Sequence, residues 1–547
     1  MHSTTPEVST ENSITFAKPI GRAQAASVVT AVTMLVSVLG YLREAALAAH
    51  FGVSATMDAY FAATFVPNNI YLILVVGTLS PVFIPLILGT SKDYNAERQN
   101  ETISVVANFI CVLLLTLISL GLLSAKYWLL ILFPGFDTST LLLSVHLTYI
   151  ILPSIAFLGL AGILTAVLNA FHRFALAAFA PVCSSVAIIL SLVVARGQHA
   201  IRAVGFATAI GFLLQFLVLI PPIVRLGFKY VPRFTFSHPA IAQLLRLGGP
   251  LFLYLIVANA SAIIERNLAS RLSTGAVSAI SYAIRLFVVP TNFLAAPLAM
   301  VSYPQFAREA TMYNYGDLRR QLSQSIRFVI VLFLPITVWV LLNALPLTKI
   351  VYERGNFHSQ DSIVISRVLR LYGIGILPNA INVILLRCCY ALRDTLTPLT
   401  SETINFMIYT MAALVLTKYF GISGLAVSRG LTFFFVMSLL LMALRKKDIR
   451  VGDGIGKLIL KTSLTSATMG IAAYLSLRAA ANLFPVETTM VRLSVMGLSA
   501  IISGAVFLII GTLCNIPESR YLLNAARKLI ALHEKPTKLV YEGERSE

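Results

Sequence analysis

The sequence predicts an all-α protein that crosses a membrane many times. Of its 547 residues, 57% are hydrophobic and only 12% are charged, and the mean hydropathy is +0.83. A soluble domain is about half apolar and about one quarter charged. Apolar runs close to the roughly 20 residues that cross a bilayer as a helix also recur along the chain, separated by short polar turns. Composition and spacing together define the fold class.

About fourteen transmembrane helices are predicted. The polar leader before the first of them has no basic stretch preceding an apolar one, so we interpret it as a tail and not as a cleaved signal. The predicted spans are 25–48, 58–88, 102–124, 141–169, 174–195, 201–222, 249–271, 276–303, 323–345, 364–392, 397–418, 422–443, 458–480 and 490–513.

The first six spans and the next six are predicted to be copies of one unit. The stretch MDAYFAATFVPNN, Met57 to Asn69, is echoed by SAISYAIRLFVVPTN, Ser278 to Asn292, and Gly52 has its counterpart in Gly275 at the same offset. The stretches NAFHRFALAAFAP and YALRDTLTP also correspond, at the turn between the fourth and fifth spans of each half. Because six is an even number, both halves enter the membrane from the same side. This is a parallel repeat, which places a cleft between two lobes.

This repeat divides the chain into six predicted parts. They are a cytoplasmic tail at 1–24, an N-terminal six-helix lobe at 25–222, a cytoplasmic linker with an amphipathic helix at 223–248, a C-terminal six-helix lobe at 249–443, two additional transmembrane helices at 458–513, and a basic cytoplasmic tail at 514–547. The linker helix is predicted from Ile241, Leu244 and Leu245, which fall mostly on one face, although an ordinary loop helix would look the same.

A net charge of +19 would suggest nucleic acid in a soluble protein, but the positive-inside rule explains it here. Lys and Arg concentrate in the even-numbered loops and the two tails, so both termini are predicted to be cytoplasmic, where anionic lipids attract them. No nucleic-acid partner is predicted. The five cysteines lack metal-ligand spacing, and we predict no metal site.

Arg285 is the most informative charge, because it lies within an apolar span with no acid nearby in sequence. An ionisable group in hydrocarbon costs several kcal/mol unless it is paired or faces water, so an arginine at this depth needs an anion. One hypothesis is a phosphate or diphosphate on a substrate, which a guanidinium holds with paired donors. The alternative is a salt bridge to Asp58, Glu44 or Glu265. The residues do not decide between them.

Arg43 and Glu44 are adjacent in the first span. On a helix their side chains leave the axis about 100° apart, which predicts that each has another partner. We expect Arg43 to face the cleft, with snorkelling to the outer interface as the alternative.

Two further pairs of polar residues lie within spans. Glu265 and Arg266 are predicted to pair with neighbouring helices. Glu402, with Asn405 one turn later, is a candidate cation or proton site, although a hydrogen bond between helices is the more frequent use of such residues.

Several stretches resemble the MurJ/MviN family of lipid II flippases. They are TMLVSVLGYLREAALAAHFGVSATMDAYFAATFVPN, GTLSPVFIPL, ERNLASRLSTGAVSAISYAIRL and YERGNFHSQDS, and the similarity extends through nearly all spans. The resemblance implies the fold of the multidrug/oligosaccharidyl-lipid/polysaccharide exporter superfamily, with two six-helix lobes. It also implies that the two extra helices shape a groove for a polyprenyl tail.

The resemblance carries three site residues over to this chain. Arg43 and Asp58 match charged positions of the family, and Arg285 matches an arginine thought to face the diphosphate. Other family charges are replaced, by Ser37 and Val38, Tyr71 and Leu72, Val76 and Ile284. A cleft without these charges suits another polyprenyl-linked saccharide, for example one destined for exopolysaccharide. Tyr71 would then offer an aromatic face to a sugar.

We therefore expect a flippase in the bacterial inner membrane, not an enzyme, that moves a polyprenyl-diphosphate-linked saccharide outward by alternating access. No cofactor is predicted, and coupling to membrane potential, Na⁺ or H⁺ is open because the chain has no Walker-type loop. Partners would be the lipid substrate, membrane lipids and cell-wall or polysaccharide synthesis proteins. The alternatives are a cation or drug exporter and a non-transporting scaffold. A membrane glycosyltransferase is less favoured, because the predicted external loops are short and lack a catalytic cluster.

Overall fold

A computed structural model describes residues 22–73, 96–195, 197–233, 235, 237–452, 454–483 and 489–524. Within these ranges every regular element is a helix. The contacts divide the chain into two compact units. Unit 1 extends through Ser278 and also includes Arg354–Phe357, and unit 2 holds Ala279–Glu353 and the chain from His358 onward. The predicted tail residues 1–21 and 525–547 lie outside the described ranges.

The described residues of unit 1 form ten α-helices and the first turn of an eleventh. They are α1 (Arg22–Phe51), α2 (Ala55–Tyr71), α3 (Ala96–Leu123), α4 (Ala125–Leu132), α5 (Thr138–Ile151), α6 (Ile155–Ala170), α7 (Phe174–Phe179), α8 (Val182–Val194), α9 (Ala200–Arg225), α10 (Pro239–Ser270) and α11 (Ala276–Pro290).

The described residues of unit 2 form the rest of α11 and eight further α-helices. They are α12 (Ala296–Thr311), α13 (Tyr315–Tyr352), α14 (Ser359–Gly373), α15 (Ile376–Ala391), α16 (Leu396–Phe420), α17 (Ile422–Lys446), α18 (Ile455–Leu483) and α19 (Thr489–Leu513). The last two pack on each other, and both pack along α13. Arg327 Nε on α13 donates to Glu518 Oε1 at 2.6 Å, which ties the segment after α19 to the same helix.

The structure confirms an all-helical membrane protein but not the count of fourteen spans. Twelve helices or joined helices of the described part are long and apolar enough to cross a membrane, or thirteen if the bent pair α14 and α15 forms one span. The remaining predicted span, 58–88, is described only as far as residue 73.

The predicted linker helix is the first part of α10. Ile241 and Leu244 are buried, at 4% and 6% exposure, and Leu244 joins the hydrophobic cluster formed by α3, α6 and α9. Leu245 is 57% exposed on the other side. The amphipathic pattern therefore packs against unit 1. The boundary between the two units lies inside α11, whereas the predicted boundary between the two lobes lies at 223–248. The units are defined by contacts between residues, and the lobes by the sequence repeat, so the two boundaries differ.

Matched backbone conformations in the two halves agree with the repeat. Gly52 and Gly275 both adopt a left-handed conformation, with φ of 61° and 87°. At the turn between the fourth and fifth spans, His172 and Arg393 do the same, with φ of 59° and 57°. Such residues end helices, and they are uncommon outside glycine.

Both opening motifs also contain a proline inside a helix, followed by π-helical residues. Pro67 in α2 precedes Leu72–Ile73, and Pro290 at the end of α11 precedes Thr291–Ala295. Proline removes a backbone hydrogen bond, and π-turns accommodate the resulting bend. In both copies the regular α-helix is therefore interrupted within a few residues after the matched proline.

Replacing Gly424 by alanine is expected to destabilise the hairpin of α16 and α17. A Cβ at this position would lie 2.2 Å from the Leu416 carbonyl oxygen, and the backbone cannot move away without separating the helices. We expect a loss of about 3 kcal/mol, the upper range for overpacking. Gly504→Ala in α19 is the control, because no atom lies within 4 Å of its Cβ. Thermal unfolding in detergent compares them, and equal stability of the two variants would contradict the packing.

Candidate functional site

Asp58 lies in the first turn of α2 and is 3% exposed. Its Oδ2 accepts the N–H of Gly275, and its Oδ1 accepts the N–H of Ser278, each at 2.7 Å. These N–H groups lie at the start of α11, where a helix has no internal acceptors and its dipole favours an anion. Asp58 therefore caps a helix more than two hundred residues away in sequence. Its contact with substrate stays a prediction, and both carboxylate oxygens already have partners.

The turn before α11 explains why the backbone at Gly275 can approach Asp58 so closely. Gly275 has a φ of 87°, and a Cβ there would lie 2.6 Å from a side-chain carbon of Val53. Only glycine combines this conformation with this space. The second copy of the repeat thus meets the opening turn of the first at a position where no side chain fits.

Arg266 extends the charge cluster around Asp58. Its Nη1 donates to the Val277 carbonyl oxygen at 2.9 Å, and its positive charge acts on the Asp58 carboxylate. This contact joins α10 to the backbone at the start of the neighbouring helix α11, and the predicted ion pairing of Arg266 stays a prediction. The adjacent Glu265 is 2% exposed within α10.

Arg43 and Glu44 form an ion pair, contrary to the prediction that each needs another partner. Arg43 Nη2 lies 2.7 Å from Glu44 Oε1, and the two side chains are 21% and 5% exposed. Although the Cβ atoms diverge, both side chains have enough rotatable bonds for their ends to meet, and low surrounding polarity strengthens the attraction. A guanidinium has five N–H donors, so this bond leaves Arg43 able to hold a second anion.

Arg285 lies on the exposed side of α11. Tyr282, Leu286 and Phe287 on the same helix are buried, and the Phe287 ring stacks on Phe433 of α17 with centroids 5.6 Å apart. The aromatic side of α11 therefore packs into unit 2, whereas Arg285 on the same helix is exposed. Its contact with a diphosphate stays a prediction.

Tyr71 ends α2 and is half-buried. It packs, together with Ile70, against the hydrophobic cluster of unit 1, whose members include Ile103, Ile110 and Leu114 of α3. Much of the ring is therefore occupied by the core. Its predicted role as a saccharide platform stays a prediction.

Glu402 and Asn405 do contact each other, within α16. Asn405 Nδ2 donates to Glu402 Oε2 at 3.0 Å, so the bond joins two turns of one helix and not two helices. Arg429 of α17 adds its charge to Glu402, and its guanidinium carbon lies 4.2 Å from the centroid of the Tyr409 ring. A cation–π contact of this kind stabilises an arginine away from water. The four residues make a polar cluster inside the α16–α17 hairpin.

Glu353, which the sequence analysis did not single out, lies at a junction in unit 2. It follows α13 and accepts hydrogen bonds from Ser359 and Ser362 at 3.2 and 2.9 Å and from Arg492 of α19 at 3.1 Å. Lys349 Nζ is 3.7 Å away. Burial acts to raise the pKa of Glu353, but these hydrogen bonds and cations outweigh it and hold the pKa below its ordinary value. The sequence feature that could have indicated this junction is an acid between two spans, followed by serines six and nine residues later.

The predicted site residues are therefore divided between the two units. Arg43, Glu44, Asp58, Glu265, Arg266 and Tyr71 belong to unit 1, and Arg285, Glu402 and Asn405 belong to unit 2. Within unit 1, Asp58 and Arg266 meet at the start of α11, whereas Arg43 and Glu44 pair with each other. The described residues include no group of three or more His, Cys, Asp or Glu that could hold a metal ion. The chemistry that these residues could perform is the recognition of anions by guanidinium groups.

Comparison with known proteins adds a family match, a similar relative and two similar solved structures. Residues 47–495 match the family model described as lipid II flippase MurJ. The lipid II flippase MurJ of Burkholderia cenocepacia is 29% identical over 432 residues, which cover 77% of this chain and 83% of the relative. Among solved structures, lipid II flippase MurJ in an inward closed conformation superposes with a TM-score of 0.74 at 23% identity, covering 89% of this chain and 98% of that one. An inward-facing multidrug resistance MATE family transporter reaches 0.62 at 15% identity, covering 77% and 98%.

Proposed function

The chain belongs to the MurJ family of lipid II flippases, and we propose that it moves lipid II, or a related polyprenyl-diphosphate-linked saccharide, from the cytoplasmic to the outer leaflet. Its place would be the bacterial inner membrane, with both termini in the cytoplasm. The multi-pass helical fold supports this proposal, because a lipid-linked headgroup needs a path through the membrane while its tail remains in lipid.

The observation that carries the proposal is Arg285, an exposed arginine on a helix that is otherwise largely apolar. A diphosphate offers several anionic oxygens, and arginine binds such groups with paired, charge-assisted hydrogen bonds. Arg43 would contribute a second guanidinium. Its bond to Glu44 would keep the charge compensated while the site is empty, which lowers the cost of holding an arginine in the membrane.

Transport would proceed by alternating access, as proposed for repeat-built transporters. The π-helical residues that follow Pro67 and Pro290 would allow α2 and α11 to change direction without a full break in hydrogen bonding. The driving force would be membrane potential, Na⁺ or H⁺. Glu402 with Asn405 is the candidate site for a coupling ion. Cell-wall or polysaccharide synthesis proteins would supply and consume the lipid.

A cation or drug exporter is the less favoured alternative. Its substrates carry positive charge, and exposed Arg285 would repel them. The fold of the MATE transporter also superposes less closely than that of the lipid II flippase, with TM-scores of 0.62 and 0.74. A non-transporting scaffold would need no exposed guanidinium inside a span, so the same residue argues against it.

Complementation of a strain depleted of its lipid II flippase tests the proposal. We expect the full chain to restore growth, and purified protein in vesicles to move labelled lipid II between leaflets. A parallel assay with a different polyprenyl-diphosphate-linked saccharide identifies the substrate: transport of that lipid alone assigns the related precursor. Normal membrane abundance without transport of either lipid would overturn the proposal and favour the scaffold.

A further inference from the structure

Asn292 is an exposed amide inside a membrane-spanning stretch of unit 2. It is the second residue of the π-helical segment Thr291–Ala295, which joins α11 to α12 within the apolar stretch Ala276–Thr311. Among the residues that the structure describes, its side chain has no hydrogen-bond partner. An amide without a partner costs several kcal/mol in hydrocarbon. Asn292 therefore requires water or a polar ligand.

The first copy of the repeat has an asparagine at the matching position, and there the amide is satisfied. Asn69 Nδ2 donates to the Phe65 carbonyl oxygen at 2.8 Å, one turn earlier in α2. The equivalent bond from Asn292 would go to the Val288 carbonyl oxygen, and within the described structure it is not made. Asn69 lies in regular α-helix, whereas Asn292 lies in a π-helical turn. The same residue type is thus bonded in one copy and available in the other.

The residues on either side of Asn292 are anchored within unit 2. Thr291 is 8% exposed, and its Oγ1 accepts a hydrogen bond from Asn379 Nδ2 of α15 at 3.2 Å. Ala295 is fully buried, and the N–H of Ala296 donates to the Thr291 carbonyl oxygen. Single π-turns of this kind occur frequently at functional sites. The backbone that carries Asn292 is therefore fixed against α15 while its amide stays exposed.

Arg285 and Asn292 are both exposed and lie seven residues apart in unit 2. Seven residues make nearly two turns of a helix and about 10 Å along its axis, so the two positions lie one above the other on the same side. This distance is on the scale of a diphosphate and the first sugar joined to it. A diphosphate held at Arg285 would bring that sugar within reach of Asn292.

We propose that Asn292 recognises the sugar joined directly to the diphosphate, and that it makes the protein favour a saccharide-bearing lipid over a polyprenyl diphosphate without sugar. Its amide offers two donors and an acceptor, which suit the hydroxyl and acetamido groups of a sugar. A polyprenyl tail offers neither. The inference rests on the proposed function, because the diphosphate at Arg285 sets the distance.

Transport of two lipids in vesicles tests the inference. One is a polyprenyl diphosphate that carries a saccharide, and the other is the same lipid without sugar. Asn292→Leu keeps the size of the side chain but removes its polar groups. We expect transport of the saccharide lipid to fall about tenfold, as for the loss of one or two hydrogen bonds, and transport of the sugar-free lipid to stay unchanged. Arg285→Ala should lower transport of both lipids.

Asn69→Leu is the matched control, since it changes the corresponding residue of the first copy and removes a bond within one helix. The ratio of the two transport rates should stay at its native value in this variant. Asn292→Ala, which adds no apolar bulk, should lose the preference as Asn292→Leu does. Thermal unfolding in detergent is measured for every variant, and the Asn292 variants should unfold at the native temperature because the side chain is exposed.

The possible results distinguish this inference from the proposed function. Equal losses for both lipids in the Asn292 variants, or a native preference in Asn292→Leu, would overturn the recognition of sugar and leave the transport function intact. Equal rates for the two lipids in the native chain would overturn it as well. If the native chain moves neither lipid, the proposed function itself fails.

Chemical labelling gives a readout that does not depend on transport. A cysteine in place of Asn292 should react with a water-soluble maleimide above the background of the native chain, because thiolate forms in water and not in lipid. The saccharide lipid should slow this reaction more than the sugar-free lipid does. Met411→Cys in α16 is the comparison, since Met411 is 71% exposed in an apolar stretch. Labelling at position 292 no faster than at position 411 would contradict the inference.

Discussion

Replacement of Arg285 by alanine is expected to abolish lipid transport while the amount of folded protein in the membrane stays normal. The side chain is exposed and lies opposite the buried Phe287 side of α11, so its removal opens no cavity in unit 2. The variant loses a pair of charge-assisted hydrogen bonds to phosphate. If both bonds act in the rate-limiting state, the rate of lipid transport should fall about a hundredfold.

Two variants separate loss of recognition from loss of structure. Arg285→Lys keeps the charge but not the paired donors, and we expect intermediate transport. Arg429→Ala removes another arginine from a span, where the guanidinium stacks on Tyr409. This change should lower the unfolding temperature, which Arg285→Ala should not. Flipping in vesicles and thermal unfolding in detergent are measured for each. Transport by Arg285→Ala at the native rate would remove the central argument for a diphosphate substrate.

Replacement of Asp58 by alanine is expected to destabilise the protein by about 3 kcal/mol, because two buried N–H groups lose a charged acceptor. The affected groups are those of Gly275 and Ser278 at the start of α11. Transport should fall together with stability. This result would distinguish a capping residue from a pure substrate ligand, whose loss would lower transport and leave the unfolding temperature unchanged.

Asp137→Ala is the control for this experiment. Asp137 also caps a helix, α5, where it accepts the N–H of Ser139 at 3.2 Å, but it is exposed. Water can replace the lost acceptor there, so the expected cost is about 1 kcal/mol, as for an ordinary N-cap. Thermal unfolding of both variants tests the difference. An effect of Asp58→Ala no larger than that of Asp137→Ala would show that the buried cap contributes little.

The candidate site residues could be selected from the sequence, but the partners of their side chains could not. An ionisable group in an apolar span is rare, and that rarity selected Arg43, Asp58, Arg285 and Glu402 without any coordinates. The prediction for Arg43 and Glu44 was wrong because it followed the directions of the Cβ atoms and neglected the reach of two long side chains. Glu353 was missed because a loop acid between two spans looks like any solvated turn residue.

The sequence by itself determined the helical membrane fold and the internal repeat. Hydrocarbon thickness sets the length of every span, and backbone groups in lipid must be satisfied within a helix, so hydropathy alone carries this information. The family resemblance followed from continuous local motifs in the same way.

Only the tertiary structure decided which polar groups serve the fold. Asp58 reaches Gly275 and Ser278, and Asn356 reaches the end of α1, across hundreds of residues. Such pairings depend on where the chain returns in space, and no local pattern encodes that. From the sequence, a carboxylate or amide of this kind is interpreted as a ligand, whereas in the structure it caps a helix. The reason is that the backbone groups at a helix end need hydrogen-bond partners, as a polar substrate does.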